Sequence, residues 1–491
     1  MIDNNIITNN QNYNYKLSPV PPIFWTLPKT IYDELIKRYP SLVNKNNDTA
    51  KLEWNILDKF LYGKNEIQVS QRFVLNLCEK YNEASLPYIN QAIFNLDNLC
   101  ELKDFVSDIE LALNTDIDID DSSYFRGHSS RALLYCPNQE FEVLKRQYKQ
   151  TKRTDEYVYV LSGNKISPKS KRTIKNKLLE YQKELDDFYQ EKDMLPEMIG
   201  YCDLVNEMAN NQTRLRFISK NIDDAEAKLE EWFESGVEPC ETVDAYLHHK
   251  RSIIRVRDNV LNVYRIVKSN SPRIFDLIDQ NLHRELRKII YQGCSDVDLS
   301  RSQLAIIASL SNNDELRKWL EYDDLWLKIG LETSFPKPIL KKATYTLCFG
   351  GSPKTWVKEG LISEEEANEL KQYPFFKTLH KVAGDLRRDI TKDKYVVIGS
   401  KKLTIGKGFR SRHALARKVQ YIESMIIYEV LKAVRENNRI TLIGAYHDGV
   451  LLSFKDKRDR EVNSYIDKLN RVAQKKALQF GVNNISLEIK S

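Results

Sequence analysis

The chain has 491 residues, of which 42% are hydrophobic and 29% charged, and its formal net charge is +6. This length predicts two to four domains or subdomains, and the hydrophobic content is enough for packed cores, which excludes a disordered chain. No stretch approaches the roughly 20 apolar residues of a transmembrane helix, which excludes a membrane-spanning protein.

The seven cysteines lie far apart and form no CxxC pair. Their spacing argues against a structural zinc site or a disulfide framework and is typical of a reducing compartment. The stretch MIDNNIITNN lacks the basic-then-apolar order of a signal peptide, so we expect a cytoplasmic protein.

The positive charge is concentrated in residues 330–420, which hold 19 Lys or Arg residues against 9 Asp or Glu residues. A basic segment inside a near-neutral chain indicates either a bound polyanion, such as nucleic acid, or a solvated basic face. Charge alone does not separate the two interpretations.

Composition and periodicity divide the chain into consecutive segments. We expect a flexible arm, a helical N-terminal domain, a short mixed segment, a long charged helical segment almost free of glycine, and a mixed α+β remainder. Their bounds are 1–24, 25–122, 123–166, 167–285 and 286–491. The charged helical segment predicts antiparallel, solvent-exposed helices. We favour a solvated structural bundle over a segment that binds a nucleic-acid duplex or a protein partner.

The first segment with chemical character is SDVDLSRSQLAIIASLSNND, residues 295–314. Ile289 and Ile290 predict a strand that leads through a turn to Asp298, with a helix beginning near Ser300. An acid between a strand and a helix can hold a cation in a cleft, although Asp at that place is also a common helix cap.

The second segment is FPKPILKKATYTLCFGGS, residues 335–352, in which Lys337, Lys341, Tyr345 and Phe349 recur every four residues. On a helix they form one stripe, basic at its start and aromatic at its end. Such a stripe can hold a triphosphate and cover a base or sugar, or it can belong to an ordinary amphipathic helix.

The third segment is RITLIGAYHDGVLLSF, residues 439–454, in which two apolar runs flank His447 and Asp448. The pattern predicts a β-hairpin with an acid at its tip. An Asp-Gly pair by itself indicates only a turn.

Together and in this order, the three segments resemble motifs A, B and C of the polymerase core shared by family A DNA polymerases and the single-subunit RNA polymerases of phage and mitochondria. Motif C corresponds to His447-Asp448, and motif B to Lys341 with aromatic residues four and eight positions later. The residues that match motif A are Asp298, Ser300, Leu304, Ala308, Leu310 and Ser311.

A fourth segment, Phe125-Arg126-Gly127-His128, resembles the family's motif that contacts the template–primer duplex. The resemblance implies that Arg126, Gly127 and His128 contact primer or template, and the same role is implied for His447. The first 285 residues show no proofreading exonuclease signature.

The fold implied by the resemblance is an α+β right-hand polymerase with a helical insertion. The palm would be an antiparallel sheet built from 123–166, 286–312 with motif A and 439–491 with motif C. The fingers would be helical, 313–438, and would carry motif B. Residues 25–122 would be a helical thumb, and 167–285 the insertion.

The resemblance also implies the chemistry. Asp298 and Asp448 would bind two Mg²⁺ ions, or Mn²⁺ in their place, and Lys341 would contact the triphosphate as a catalytic group. Lys337 would be a second nucleotide-binding cation, although it also lies at the helix start. The partners would be a DNA template–primer and nucleoside triphosphates.

Choice of sugar is where the chain departs from the family. DNA polymerases of the family have Glu where this chain has Gln303, and usually Tyr where it has Phe349. Tyr345 completes the implied nucleotide-binding set. The Glu–Tyr hydrogen bond cannot form here, so we expect relaxed discrimination between dNTP and NTP.

Three functions therefore remain open from the sequence. The first is a template-directed DNA polymerase, such as a plasmid or phage replicase. The second is a primase-like or RNA-synthesising enzyme on the same core, and the third a nucleic-acid-binding replication initiator with an inactive core. The joint presence of Asp298, Lys341 and Asp448 favours an active enzyme.

Overall fold

The structure is a computed structural model, and it describes most of the chain from residue 194 to residue 490. Short gaps interrupt that part at 238, 241–242, 258–260, 267–271, 277–278, 350, 407–409 and 456–457. Before it, the described segments are 24–38, 67–69, 100–106, 132–137, 143, 157–161, 164–166 and 171–191.

The chain divides into two compact units, 1–105 with 132–191 and 106–131 with 192–491. In the first unit two sheets have the strand orders β1-β5-β6 and β2-β4-β3, and the pairs β1–β5, β5–β6 and β2–β4 are antiparallel. Its elements are β1 (Phe24–Pro28), α1 (Lys29–Arg38), β2 (Ile67–Val69), β3 (Cys100–Val106), β4 (Ala132–Pro137), β5 (Tyr157–Leu161), β6 (Asn164–Ile166) and α2 (Lys171–Glu191).

We predicted a helical domain over 25–122, and the described part of that range contains strands as well as a helix. Helix α1 is there, but so are the strands β2 and β3 and most of β1. Strand β3, CELKDFV, alternates apolar and polar residues only over its first four positions, too short a run to stand out from the surrounding helical periodicity.

The charged segment 167–285 is largely helical, as predicted, and it also contains two short strands. Besides α2 it contains α3 (Pro196–Ala209), α4 (Gln212–Ser235), α5 (Val243–Arg257), β7 (Tyr264–Ile266) and β8 (Ile274–Asp276). The helices α3 and α4 bury one face, with Val205 and Leu229 inaccessible to solvent. The boundary between the two compact units also falls inside this segment, after residue 191.

The second unit is mostly helical around one central sheet. Its remaining helices are α6 (Arg284–Ile290), α7 (Ser302–Leu310), α8 (Asp314–Leu320), α9 (Leu325–Thr333), α10 (Lys337–Cys348), α11 (Pro353–Lys358), α12 (Glu364–Gln372), α13 (Pro374–Asp393), α14 (Ser411–Arg435) and α15 (Asp459–Gln479). Its remaining strands are β9 (Ser295–Ser300), β10 (Tyr395–Ile398), β11 (Lys401–Thr404), β12 (Ile440–Ala445), β13 (Gly449–Phe454) and β14 (Ser486–Lys490).

The central sheet has the strand order β12-β13-β9-β14, and every pair in it is antiparallel. Gly449 pairs with Asp298 on one side of β9, and Glu488 pairs with Asp298 on the other side. Strand β9 is therefore interior to the sheet, and its neighbours on both sides come from the C-terminal part of the chain.

The long helix α14 packs on four other helices of this unit, α15, α13, α3 and α7. Apolar residues recur along it at helical spacing, and Leu415, Val419, Ile422 and Ile426 are all buried. Such spacing gives a continuous apolar stripe that removes nonpolar surface from water on folding.

Two sequence predictions of local structure are confirmed, and one is wrong. The hairpin over 439–454 and the helix that begins at Lys337 are both present. Ile289 and Ile290 do not form a strand, because they end helix α6, and the strand that carries Asp298 begins only at Ser295. In the described part of the chain, none of the helices has the length and apolar character needed to cross a bilayer.

Candidate active site

Strand β9 carries two acidic residues of the candidate site, and its sequence SDVDLS alternates acidic and apolar residues over Asp296–Leu299. Because side chains on a strand alternate between faces, Asp296 and Asp298 share one face while Val297 and Leu299 point into the core on the other. Val297 is fully buried and Leu299 nearly so. The apolar pair thus anchors the strand and leaves both carboxylates on the opposite face.

Gly449 allows Asp298 to lie directly against the neighbouring strand. A Cβ atom at position 449 would meet Asp298 Oδ1 at 1.8 Å and the Val297 carbonyl oxygen at 2.7 Å. Real Cβ atoms do not approach other heavy atoms so closely, so no other residue fits here without moving Asp298. The glycine after Asp448 therefore serves close approach between strands, and this role was not predicted from its Asp-Gly sequence.

Asp298 and Asp448 lie side by side although they are 150 positions apart in the chain. The Asp448 carbonyl accepts a hydrogen bond of 3.0 Å from the Leu299 amide, next to the Gly449–Asp298 pair. Both side chains line one cavity of about 310 Å³. The other residues that line this cavity are Gln280, Arg284, Arg287, Asp296, Tyr446, His447 and Lys490.

The two carboxyl groups have different surroundings. Asp298 is 5% exposed and forms an ion pair with the half-exposed Lys490 from β14. The pKa of Asp448 is raised, first by burial, and the charge of Asp296 adds to this while Arg273 opposes it. The site therefore brings carboxylates and cations together where burial makes each charge costly.

Basic residues lie on the rim of the same cavity. Arg287, from α6, has its guanidinium carbon 4.5 Å from the centre of the Tyr446 ring, a cation–π contact. Lys490 has a lowered pKa, chiefly because of burial, and Arg284 and Arg287 contribute to that lowering. Cations beside carboxylates are suited to a ligand that carries both phosphate groups and metal ions.

His447 lies at the cavity but remains neutral. Burial and Arg273 lower its pKa to about 4, and its ring packs edge-on against Phe275 with centroids 4.9 Å apart. No described group forms a hydrogen bond with its buried Nδ1 atom. A neutral imidazole contacts nucleic acid through hydrogen bonding or packing and not as a cation, which narrows the primer-binding role implied by the sequence.

Helix α10 carries the predicted basic-to-aromatic stripe. Pro338 lies in its first turn, and its fixed φ angle favours a helix start there. Lys337 is exposed and lies 3.7 Å from Asp324, the residue that caps α9. Phe349 is the residue that ends the helix. The ion pair of Lys337 with Asp324 thus links the N-terminus of α10 to the N-terminus of α9.

Lys341 and Tyr345 each have a charged neighbour among the residues that line the cavity. Loss of solvent and the positive charge of Lys337 lower the pKa of Lys341, and Arg284 and Glu488 are among its charged neighbours. Burial raises the pKa of Tyr345, and the charge of Asp448 contributes to this shift. Neither Lys341 nor Tyr345 lines the 310 Å³ cavity itself.

Gln303 lies behind the acids, in the first turn of α7, and does not line the 310 Å³ cavity. Its Nε2 atom donates a hydrogen bond of 3.5 Å to Glu423 on α14. The pKa of Glu423 is raised to about 7, mainly by burial, and the charge of Asp448 adds to this. Sequence inspection missed Glu423 because only the packing of α14 against α7 brings it to Gln303.

Asp296 was also missed, although the sequence contains a signal for it. It stands two positions before Asp298, and strand alternation places both on one face. No described residue forms a hydrogen bond with its buried Oδ1 atom. The predicted duplex contacts Arg126, Gly127 and His128 lie outside the described residues.

The donor set can be compared with the needs of a metal ion. Mg²⁺ is usually bound by one or two carboxylates, with waters and substrate phosphates completing its octahedron. Asp298 and Asp448 provide such a pair, and Lys490 already places a positive charge on Asp298. In the described part of the chain no group of three or more His, Cys, Asp or Glu side chains could hold a metal ion unaided.

No family model matches the chain, and no curated protein matches it. Among solved structures, the chain is similar to the POL domain of Pol1 from M. smegmatis in complex with DNA primer-template and dNTP. The two are 16% identical, the match covers 64% of this chain and 73% of that chain, and the TM-score is 0.42. Similarity at that level leaves the assignment of function to the residues of the site themselves.

Proposed function

We propose that the chain is a template-directed nucleotidyltransferase, a DNA polymerase resembling family A without a proofreading exonuclease, which extends a primer 3′-hydroxyl. One observation carries the proposal: Asp298 on β9 and Asp448 in the hairpin turn just before β13 line one open cavity. A pair of carboxylates is the protein's contribution to two-metal phosphoryl chemistry.

Asp298 and Asp448 would hold two Mg²⁺ ions, or Mn²⁺ in their place, together with the substrate phosphates. Bound divalent ions in such a site lower the pKa of the attacking hydroxyl and stabilise the leaving pyrophosphate. The raised pKa of Asp448 supports this role, because a partly desolvated carboxylate gains most from an added cation.

The remaining residues would bind the nucleotide. Lys341 would contact the triphosphate and give a proton to the leaving pyrophosphate, a role that its lowered pKa favours. Tyr345 and Phe349 would flank the base and sugar. Lys337 would act mainly through its ion pair with Asp324, as a residue that orients α10.

In this proposal the molecule has the layout of a right hand. The central sheet with β9, β13 and β14 would be the palm, and residues 313–438, which include α10, would be the fingers. Residues 25–122 would supply the thumb. Arg126, Gly127 and His128, together with His447, would contact the DNA template–primer.

Primer extension tests the proposal directly. With Mg²⁺, a DNA primer–template and nucleotides, we expect Asp448→Asn and Asp298→Asn each to lose at least about 10³-fold in rate, since each loses a charge that several kcal/mol of transition-state stabilisation depends on. The matched control is Asp467→Asn, which removes an exposed carboxylate on α15 and keeps the wild-type rate.

The same assay separates the competing functions. Gln303 and Phe349 keep an RNA-synthesising enzyme as the second candidate, and extension with NTPs in the absence of a primer would favour it. A wild-type protein that binds DNA but extends no primer with either metal would overturn the proposal in favour of a replication initiator with an inactive core.

A further inference from the structure

Strand β12, which leads into the turn that holds Asp448, lies at an edge of the central sheet. Among the described strands only β13 pairs with it, so the backbone groups on its outer side need partners from elsewhere. The pairing with β13 also shifts register between Leu442 and Gly444, and such a bulge locally disrupts the ladder. Sheet pairing therefore fixes the end of β12 from one side only.

Three side chains of the charged helical segment bond to the outer side of β12. Tyr264 Oη accepts a hydrogen bond of 3.2 Å from the Ala445 amide. Asn211 Nδ2 donates one of 2.6 Å to the Leu442 carbonyl, and Gln280 Nε2 donates a longer one of 3.5 Å to the Ala445 carbonyl. Side chains thus take the place of a further strand at this edge.

Tyr264 is itself held by helix α3. Asn206 Nδ2 donates 2.9 Å to the Tyr264 carbonyl, and the Tyr264 amide donates 2.7 Å to Asn206 Oδ1. One turn further along α3, Asn210 exchanges the same two hydrogen bonds with the backbone of Asn262, at 2.9 and 2.8 Å. Side chains four positions apart share a helix face, so α3 binds the backbone of β7 at two consecutive points. With 1% of its surface exposed, Tyr264 has little freedom to move.

Asn211 is held equally firmly at the start of helix α4. Its Oδ1 atom accepts a hydrogen bond of 2.9 Å from the Arg214 amide and so caps the helix, and its Nδ2 atom also donates 2.8 Å to the Met208 carbonyl. The Arg214 side chain in turn forms the buried ion pair with Asp279. The bond from Asn211 to Leu442 therefore connects β12 to a fixed point.

The position of Ala445 is transmitted to the acid of the turn. Asp448 stands three positions after Ala445, and the Tyr446 amide donates 2.8 Å to the Gly449 carbonyl across the turn. A short closed turn moves with the strand end that carries it. Displacing a reacting group by 1 Å can cost about 100-fold in rate, so a small shift of this edge has a large effect on a carboxylate of the site.

We propose, on the basis of the proposed polymerase function, that Tyr264 and Asn211 are positioning residues that fix the Asp448 turn from the outer edge of β12. Neither residue lines the 310 Å³ cavity, and both act through the backbone of the hairpin. The charged helical segment thereby supports one of the two acids of the site.

The first test compares Tyr264→Phe with Tyr201→Phe in the full chain. Both tyrosines are 1% exposed, but no described group forms a hydrogen bond with Tyr201 Oη. For primer extension with Mg²⁺ we expect Tyr264→Phe to lower kcat about tenfold, and to change the nucleotide KM less than about twofold because the proposed nucleotide contacts lie on α10. The Kd for Mn²⁺ by calorimetry should rise about threefold, and Tyr201→Phe should match wild type.

The second test uses two helix caps. Asn211→Ser keeps an oxygen that caps α4 but has no amide to reach the Leu442 carbonyl, and we expect it to lower kcat about threefold and to raise the Mn²⁺ Kd. Asn313→Ser is the matched control, since Asn313 caps α8 by accepting 2.7 Å from the Leu316 amide. It should keep the wild-type kcat and Mn²⁺ Kd.

A merely structural role would lower the free energy of unfolding in urea without moving kcat or the Mn²⁺ Kd. Wild-type values of both in Tyr264→Phe and Asn211→Ser therefore overturn the positioning role, and so does an equal loss in Tyr201→Phe and Tyr264→Phe. If Tyr264→Phe does not fold, the comparison of Asn211→Ser with Asn313→Ser decides.

The outcomes separate this inference from the function on which it rests. Absence of extension by wild type overturns the polymerase function, and the Mn²⁺ Kd values then still decide whether the edge contacts position Asp448. A wild-type chain that neither extends a primer nor binds Mn²⁺ overturns both.

Discussion

Two buried carboxyl groups in the second unit are stabilised in opposite ways. Asp279, behind the hairpin, is 1% exposed and faces Arg214, whose Nη2 atom lies 2.9 Å from both carboxylate oxygens. Glu423, behind Gln303, is equally buried, but the groups that donate hydrogen bonds to it are a hydroxyl and an amide. The first carboxyl is charge-paired, and the second has only neutral donors.

The Asp279 cluster and the Glu423 cluster also differ in how firmly they hold the neighbouring elements. Tyr291 also donates to Asp279, and Tyr264, which lies in the same cluster, accepts a hydrogen bond from the Ala445 amide at the end of β12. A bidentate pair with further hydrogen bonds holds one geometry, and here it holds the base of the hairpin that carries Asp448. The Glu423 cluster has fewer hydrogen bonds and leaves the buried Oε1 atom of Gln303 without a donor among the described residues.

The largest expected effect comes from breaking the charged cluster. Arg214→Met leaves Asp279 buried without its cation, and we expect the free energy of unfolding to fall by about 3–5 kcal/mol in urea denaturation. Arg317→Met is the matched control. Its ion pair with Asp314 is 3.0 Å long, but Asp314 is largely exposed, so a loss of no more than about 1 kcal/mol is expected.

The double variant Arg214→Met with Asp279→Asn tests whether the unpaired charge of Asp279 causes the loss of stability. Removing the orphaned charge while keeping an acceptor for Tyr291 should restore part of the lost stability. Equal losses from Arg214→Met and Arg317→Met would mean that burial does not strengthen the Asp279 pair.

The neutral cluster predicts a pH effect. Glu423 titrates near 4.5 when unfolded and at about 7 when folded, so between these values the folded chain holds a proton that the unfolded chain has lost. Stability is therefore highest below the lower value and falls as pH rises through this window, by up to about 3 kcal/mol. Glu423→Gln removes that contribution.

The measurement is the free energy of unfolding of wild type and of Glu423→Gln from pH 4 to pH 8. Contributions from other titrating groups cancel in the difference between the two proteins. A difference that stays flat across the window would mean that Glu423 is ionised in the folded chain.

A third change acts on the contact between strands at the candidate site. Gly449→Ala forces a methyl group against Asp298, so we expect a loss of about 1–3 kcal/mol in stability and a larger loss in primer extension. In Gly406→Ala, the control, no described atom lies within 4 Å of the added carbon. Wild-type extension by Gly449→Ala would show that the position of Asp298 does not matter for the reaction.

The smallest expected effect is the loss of one neutral donor. Ser302→Ala removes the hydroxyl bond to Glu423 and should cost about 1 kcal/mol in the free energy of unfolding. It should also raise the pKa of Glu423 further, since that bond lowers it. Ser311→Ala, whose hydroxyl donates to backbone carbonyls of its own helix, should be nearly neutral in both measurements.

Local patterns in the sequence were enough to predict several secondary-structure elements. The hairpin at 439–454 and the helix starting at Lys337 follow from apolar alternation, a turn pair and an early proline, all of which act between near neighbours. The strand predicted at Ile289 and Ile290 is wrong because a short apolar pair is equally compatible with the buried face of a helix. Alternation in SDVDLS was the better signal for the strand.

By itself the sequence determined which residue types stand at the candidate site: Asp298, Asp448 and the Lys341-to-Tyr345 stripe, each within a short recognisable pattern. Only the tertiary structure decided that Asp298 and Asp448 share a cavity, that Gly449 makes room for one of them, and that Glu423 accepts a hydrogen bond from Gln303. The physical reason is the separation along the chain over which each kind of interaction acts. Propensity and periodicity act over a few residues, whereas strand pairing and helix packing join positions more than a hundred residues apart, and their free energy depends on the whole core.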